Sequence, residues 1–431
     1  MESFRVIVTG GSVVGLVLAN ALEKAGIDYI VLEKREIAPH LGASISVLCQ
    51  SARVFEQLGI WKRMLKESLP LKDRLHFDEH GNLFENTAVL RLIGEQTNRP
   101  FLFVERRSYI QTLYDNLDAK HKVRDYTGVV SFREDEDGVT VVTDKGEEIK
   151  GSILVGADGI HSTVKRLMDG NSGESDATGA EKLNDSFVAT YRVVFGTSRN
   201  ARSDDSSEPY LPGAAVHNVY YRGVSGIAAA GVEGLVFWFL FVKEDSPSRT
   251  PHCPRYTDED AQRTIDKYGH LALGPGYTFC NLWESRIRAS MVPLEEGVLG
   301  RSWNSGKRVV LMGDSVSKST INPGLGGNTH IEGICNFVNE LKPLLENSPK
   351  PTTEEIHSLF QKYEDKQRPR ATACVNVSSY ITRFEAMDTW YWRLARIISP
   401  WVPDSLKAKA FLNFISSSPI LNFLPDPDRE I

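Results

Sequence analysis

The apolar positions of the first forty residues come in runs of changing period. "FRVIVTG" is a short run of strand type, "VVGLVLANALEKAG" repeats at helical spacing up to Gly26, and "DYIVLEK" is a second strand-type run. Together they predict a βαβ unit of about thirty residues, and with it a parallel sheet. Residues 71 to 100 lose that rhythm, and "RRSYIQTLYDNLDAK" restores a helix with Ile110, Leu113 and Leu117 on one face. From 122 to 157, short runs broken by "EDEDG" and "DKG" predict an antiparallel meander. The segment 184 to 283 is β-rich and aromatic, with a polar loop at "SRNARSDDSSEP". Its run "GLVFWFLFV", residues 234 to 242, falls far short of the ~20 residues that span a bilayer and predicts a buried strand. There Phe237, Phe239 and Phe241 alternate with Trp238 and Leu240, a core pattern with an apolar pocket floor as its other reading. Residues 354 to 385 predict a helix, and the tail from Met387 onward mixes Trp, Tyr, Pro and Arg. For Trp390, Trp392 and Trp401 helix packing is expected ahead of membrane contact.

At 431 residues the chain exceeds one hydrophobic core, so interleaved units are expected. A net charge of −6 offers no global field for nucleic acid or an anionic membrane, so neither is expected as an obligate partner. Cys49, Cys253, Cys280, Cys335 and Cys374 lack CxxC spacing, which argues against a metal site or a disulfide framework and for a reducing compartment. The N-terminus shows no leader pattern, and a cytoplasmic location with at most loose membrane association is expected.

Three stretches carry chemistry. In "VIVTGGSVVG", Gly10, Ser12 and Gly15 occupy the GxGxxG positions between a strand and a helix. Glu33 closes the next strand about twenty residues on, placed to accept from a ribose hydroxyl. This fits a dinucleotide without separating NAD from FAD. In "ILVGADGIHSTVKRLM" an apolar strand ends at Gly156, Asp158 and Gly159, and Asp158 has either a loop-bracing or a ligand role. In "GDSVSKSTINPGLGGNTHIEG", Asp314 ends a strand and glycines precede a helix. A carboxylate can bind a polyol, and amides at a glycine-rich helix start can meet the electron-rich edge of a flat ring. Those are the two halves of riboflavin, a constellation that a nicotinamide enzyme does not need.

With these stretches in place, the chain resembles the class A FAD-dependent monooxygenases of the para-hydroxybenzoate hydroxylase fold. The motifs "GGSVVG", "VLEKR", "ERRSYIQTLYDNL", "GADGIHSTVKR", "GDSVSK" and "NPGLGGN" carry the likeness. "GASISVLCQSARVFEQLGI", "TYRVVFG", "VFWFLFVKED", "MVPLEEGVLGRSW" and "LNFLPDPDR" narrow it to fungal secondary-metabolism epoxidases of the paxilline, meroterpenoid and indole-alkaloid type. The resemblance implies a mixed α/β fold: a Rossmann-like FAD-binding domain (1–75, 102–183 and 284–345) interleaved with a β-sheet substrate domain (76–101 and 184–283), plus a C-terminal helical region (346–431). It implies that Glu33 binds the adenosine ribose, with Lys34 and Arg35 beside it. Arg106, ahead of Arg107, would reach the FAD ribose or pyrophosphate, a surface helix-terminal arginine being the plainer alternative. Asp158 would serve FAD and NADPH, Asp314 the riboflavin moiety, and Gly326, Gly327 and Asn328 the flavin edge. Two positions depart from the pattern: Ser317 stands where many relatives have His, and Ile321 where they have Pro.

The chemistry implied is the cofactor's own: NADPH or NADH reduces FAD, dioxygen forms the C4a-hydroperoxide, and oxygen passes to an alkene or indole of an apolar prenylated indole alkaloid or terpenoid. Arg192 in "TYRVVFG" is expected at the substrate-domain edge facing the flavin, guiding epoxide opening, or else in a salt bridge within its strand. An aromatic hydroxylase of a phenol and an oxidase without oxygen transfer are the alternatives.

Overall fold

A computed structural model describes residues 4–40, 42–171, 187–202 and 208–428. The tip of the polar loop, 203–207, lies outside the described residues. The predicted βαβ unit forms as strand Arg5–Thr9, helix Val13–Ala25 and strand Asp28–Leu32. The helix stops at Gly26, whose left-handed φ of 72° returns its amide to the carbonyls of Leu22 and Glu23. A parallel sheet runs in the order Val309–Leu311, Ile153–Gly156, Arg5–Thr9, Asp28–Leu32, Val123–Arg124. Its central strands are covered on both faces and accordingly read as continuous apolar runs.

The expected meander over 122–157 divides. Only Val129–Glu134, Val139–Thr143 and Glu148–Gly151 pair antiparallel. Val123–Arg124 and Ile153–Gly156 instead join the parallel sheet, the latter because its unbroken apolar run "ILVG" suits burial on both sides.

A second sheet of eight strands runs Ser317–Lys318, Arg286–Val298, Val188–Arg199, Leu235–Arg249, Val224–Val232, Ala215–Tyr221, Asp73–Phe77, Leu83–Thr87. Arg286–Val298, expected within the cofactor domain, pairs with Val188–Arg199 along its length. Its last residues, Gly297 and Val298, then pair with Lys318 and Ser317. That strand therefore joins the large sheet to the segment following Asp314.

The aromatic strand sorts as its alternation predicts. Trp238, Leu240 and Val242 pack with Val194 against the helices Asp258–Tyr268 and Phe279–Glu284. Phe237, Phe239 and Phe241 face the other way with Tyr191, Val193 and Phe103. Helix Leu325–Asn347 lies against Val13–Ala25 on one side and Thr353–Glu385 on the other. The shorter helices Trp390–Ile398 and Asp404–Ile415 follow. No described helix is long and apolar enough to cross a membrane.

Candidate active site

The first turn is fixed by two glycines. Gly10 has φ +101°, and a Cβ there would lie 2.4 Å from the Ala157 carbonyl oxygen. A Cβ on Gly15 would stand 1.8 Å from the Gly10 carbonyl oxygen. Ser12 opens the helix without capping it through its side chain, which leaves first-turn amides available to an anion. Its hydroxyl instead accepts from Arg106 Nη2 at 2.9 Å.

Arg106 begins helix Arg106–Asp115 and leans over that turn. Burial pulls its guanidinium below the ordinary arginine range, partly offset by the nearby Asp314 and Glu33 carboxylates. Arg107 donates to the Ala38 carbonyl at 3.3 Å, so of the two arginines only Arg106 faces the turn. Glu33 is held by the amides of Gly11 (2.7 Å) and Arg35 (2.9 Å), while the side chains of Lys34 and Arg35 are exposed.

Asp158 has both of its anticipated roles open to it. Oδ2 accepts from the amides of Thr163 (2.6 Å) and Val164 (3.2 Å) and so caps helix Thr163–Asn171. Oδ1 is buried with no hydrogen-bond partner among the described residues. An orphaned buried carboxylate oxygen is costly unless a ligand or water satisfies it.

Asp314 follows strand Val309–Leu311 in a short 3₁₀ turn, and a Cβ on its neighbour Gly313 (φ +74°) would lie 2.8 Å from Val14 Cγ2. That close approach brings Asp314 to the start of the first helix. Its Oδ2 accepts from Lys318 Nζ at 3.1 Å, and its Oδ1 stands 3.6 Å from His330 Nδ1. Burial pushes this carboxyl up, and Lys318, His330 and Arg106 together more than reverse it, so it is held below the ordinary carboxylate range. Neither Lys318 nor His330 was singled out from the sequence.

Helix Leu325–Asn347 opens from Gly324, whose φ is 70° and whose Cβ would meet Ser46 Oγ at 2.0 Å. Beside its first turn there is space: a Cβ on Gly327 would meet nothing within 4 Å, and one on Gly326 only Ser319 Cβ at 3.8 Å. The side chain of Asn328 does not face that space. Its amide nitrogen donates to the carbonyls of Ser46 (3.0 Å) and Gly324 (2.7 Å), and its oxygen accepts from the Leu48 amide (3.0 Å). Its side chain braces the turn against strand Ser44–Val47, which leaves its main chain for the expected place at a flavin edge.

The loop before Gly324 is braced from behind. Glu385, 2% exposed, accepts from Asn322 Nδ2 (2.6 Å), Asn218 Nδ2 (3.0 Å) and Arg74 Nη2 (3.4 Å). A glutamate in the last turn of a helix opposes the helix dipole, and that was its only signal in the sequence. The apolar wall adjoins the same loop, since a Gly324 Cβ would lie 3.9 Å from Phe101 Cζ. Phe103 continues it, with ring centroids 5.9 Å from Phe237 and 6.2 Å from Phe239.

Arg192 does not join this constellation. It pairs with Glu244 at 2.5 Å, and Glu244 also accepts from the Tyr256 hydroxyl. Arg192 alternates with Tyr191 and Val193, so its side chain leaves on the sheet face that Val194 shares with the helices, away from Phe237 and Phe239. Of its two expected readings, the salt bridge within the strand is the one formed.

The features converge on one elongated group. A helix start for a pyrophosphate, Glu33 for a ribose, an orphaned Asp158 oxygen, Asp314 and open amides at Gly326 and Gly327 fit FAD in succession. The comparisons agree. The family model described as "FAD binding domain" matches residues 3–196. The FAD-dependent monooxygenase cdmI of Talaromyces verruculosus is 32% identical, covering 99% of this chain and 88% of that protein. AusM of Penicillium brasilianum is 34% identical over 99% and 89%, and paxM of Penicillium paxilli 32% over 99% and 88%; both bear the same description. Among solved structures, Klebsiella pneumoniae HpxO complexed with FAD and uric acid shares the fold at a TM-score of 0.76, with 20% identity over 96% of this chain and 97% of that one. On the full-length likeness to these fungal enzymes, this chain belongs to the class A FAD-dependent monooxygenases, which use NAD(P)H as co-substrate.

Proposed function

We propose that the enzyme transfers one oxygen atom to an alkene or indole double bond of a bulky apolar natural product, a prenylated indole alkaloid or terpenoid of fungal secondary metabolism. The observation that carries this reading is the aromatic wall of Phe237, Phe239, Phe103 and Phe101 beside the open first turn at Gly326 and Gly327. The carboxylate of Glu385 is already engaged by Asn322, Asn218 and Arg74, and the His76 imidazole by the Tyr220 hydroxyl at 2.7 Å. Hydroxylation of a phenol benefits from a base that takes its proton, whereas attack on an alkene needs none. An apolar wall whose neighbouring carboxylate and imidazole are both engaged suits the alkene.

FAD, when bound, supplies the reduction by NAD(P)H and the activation of dioxygen. The chain supplies the setting. Gly10, Ser12 and Gly15 with Arg106 would hold the pyrophosphate, Glu33 the adenosine ribose, and Asp158 and Asp314 hydroxyl groups along the rest of the cofactor. Amides at Gly326 and Gly327, at the positive end of a helix, favour negative charge on a ring edge. The aromatic wall excludes water and orients an apolar substrate.

The test is incubation of FAD-loaded enzyme with NADPH, isotopically labelled dioxygen and a panel of prenylated indoles, terpenoid alkenes and phenols. One labelled oxygen in an epoxide or its rearrangement product is expected. Labelled catechols from the phenols alone, with a rate that titrates like a catalytic base, would assign the enzyme to aromatic hydroxylation. Hydrogen peroxide equal to the NADPH consumed with every compound would make it an oxidase.

A further inference from the structure

Helix Trp390–Ile398 is attached to the protein along one side only. Trp392 packs against Phe384 and Tyr380, each 6.2 Å away between ring centroids, and the Arg396 guanidinium lies over the Phe84 ring at 5.1 Å. The opposite side is bare: Trp390 is 72% exposed, Ile397 61%, and Tyr391, Leu394 and Ile398 about half. Trp401, just beyond, is 83% exposed. At 100° per residue the five helical positions fall within an arc of about 120°. The expectation that these tryptophans pack inside the protein holds for Trp392 and fails for Trp390 and Trp401.

A contiguous apolar face of this kind marks a surface that something covers. Its composition narrows the choice, since tryptophan at both ends of an aliphatic stripe suits the water–lipid boundary, where one part of each indole is wet and the other dry. Charge narrows it further. Residues 389–415 carry Arg393, Arg396, Lys407 and Lys409 against Asp404 alone, in a chain of net charge −6. Lys407 is taken by Glu85. Among the described residues neither the Arg393 nor the Arg396 side chain makes a hydrogen bond or ion pair. Arg393 flanks the apolar arc, while Arg396 turns to the attached side over Phe84. A second copy seated there by a two-fold axis would bring the two copies of Arg393 towards each other, whereas anionic headgroups would neutralise it.

We infer that Trp390–Ile398 and the turn to Trp401 dock the enzyme on an anionic lipid bilayer, with the apolar arc in the interfacial zone and Arg393 on headgroup phosphates. This is peripheral docking by one amphipathic face. Phe84 lies on Leu83–Thr87, the outer strand of the large sheet, so the membrane would lie beside that edge. The docking face itself does not depend on the substrate proposed above.

The experiment is flotation of the full chain, loaded with FAD, with vesicles of phosphatidylcholine alone and of phosphatidylcholine with phosphatidylserine. Co-flotation with the serine-containing vesicles and a blue shift of tryptophan emission are expected. Arg393→Gln should weaken that binding roughly fivefold, the effect of one basic residue near an anionic surface. Trp390→Ser combined with Trp401→Ser should weaken it about tenfold or more, through lost interfacial burial. Flavin content and melting temperature report that each variant is folded, and Trp401→Ser alone replaces the pair if the double variant fails that check. No flotation with either vesicle, or flotation unchanged in the variants, overturns the inference. So does a vesicle-free dimer that the tryptophan variants convert to monomer, because that result gives the face to a second copy.

Discussion

The imidazole of His330 donates from Nε2 to the main-chain carbonyl of Ser317 at 3.1 Å, from a position thirteen residues further along the chain. It thereby brings a histidine ring to the place where the motif "GDSVSK" lacks one. The carbonyl can only accept, so the proton sits on Nε2, and Nδ1, 3.6 Å from Asp314 Oδ1, makes no hydrogen bond to it. His330→Ala should therefore lower FAD affinity about tenfold, the effect of leaving the Ser317 carbonyl beside the Asp314 turn without its donor. Ser317→His combined with His330→Ala should recover most of it. Titration of the apoprotein with FAD, followed by flavin fluorescence, checks both.

Asp314→Asn keeps the shape and removes the charge that faces Lys318 and Arg106. Loss of a charged hydrogen-bonding partner costs about 1.5–3 kcal/mol, or roughly ten- to a hundredfold in flavin affinity. The flavin-to-protein ratio after gel filtration is the measurement, and a full complement of FAD would remove Asp314 from the binding site.

Gly327→Leu separates binding from folding. A Cβ at Gly327 meets no atom within 4 Å and the residue is helical, so the fold should keep its melting temperature. The added side chain enters the space assigned to the ring edge, so the purified variant should be colourless. Gly10→Leu makes the contrast: with φ at +101° and Ala157 oxygen 2.4 Å from its Cβ, it should lose stability as well as flavin.

Arg192→Ala should leave flavin content and turnover close to wild type. Its partner Glu244 is left half-paired with Tyr256, and the cost falls on stability, about 1–3 kcal/mol in a denaturant melt. Intact stability with lost product formation would return Arg192 to the reaction.

Acid should weaken the fold through buried histidines. Burial lowers the pKa of His76 well below its ordinary value, that of His217 to about 4, and that of His330 as well, with Asp314 opposing. Each binds a proton more readily in the unfolded chain, so stability is complete above pH ~6.5 and falls as pH drops from there toward 4. His217 alone should account for roughly 3 kcal/mol over that interval. Melting curves from pH 7 to 4.5 test this, and His217→Gln should flatten the dependence.

What the sequence disclosed was local. Gly10, Gly15 and Glu33 act within one βαβ unit, and Gly324 to Gly327 within one helix start, so their spacing carries their geometry. Strand parity likewise separated Phe237, Phe239 and Phe241 from Trp238 and Leu240. Parity could not say which face looks toward the cofactor, and it left Arg192 between the flavin side and the strand salt bridge that the structure shows with Glu244. Asn328, His330 and Glu385 act through partners that are distant along the chain or whose orientation depends on tertiary packing, such as Leu48, Ser317 and Asn218. No period or spacing encodes such a contact. The division of 122–157 between two sheets was hidden in the same way, because short strands state their burial more clearly than their neighbours.

The outermost strand of the parallel sheet, Val309–Leu311, pairs with Ile153–Gly156. The cofactor-binding half thus borrows its edge from a point well over a hundred residues past the strand it joins. A nascent chain that has emerged only through residue 196, the end of the recognised FAD domain, presents an open sheet edge and has no Asp314 to offer. Until the ribosome has delivered the later strand, that edge is a template for wrong pairing. Expression of the N-terminal portion alone should give aggregates, and the yield of yellow protein should rise with conditions that protect the incomplete chain, such as slower synthesis or added chaperones.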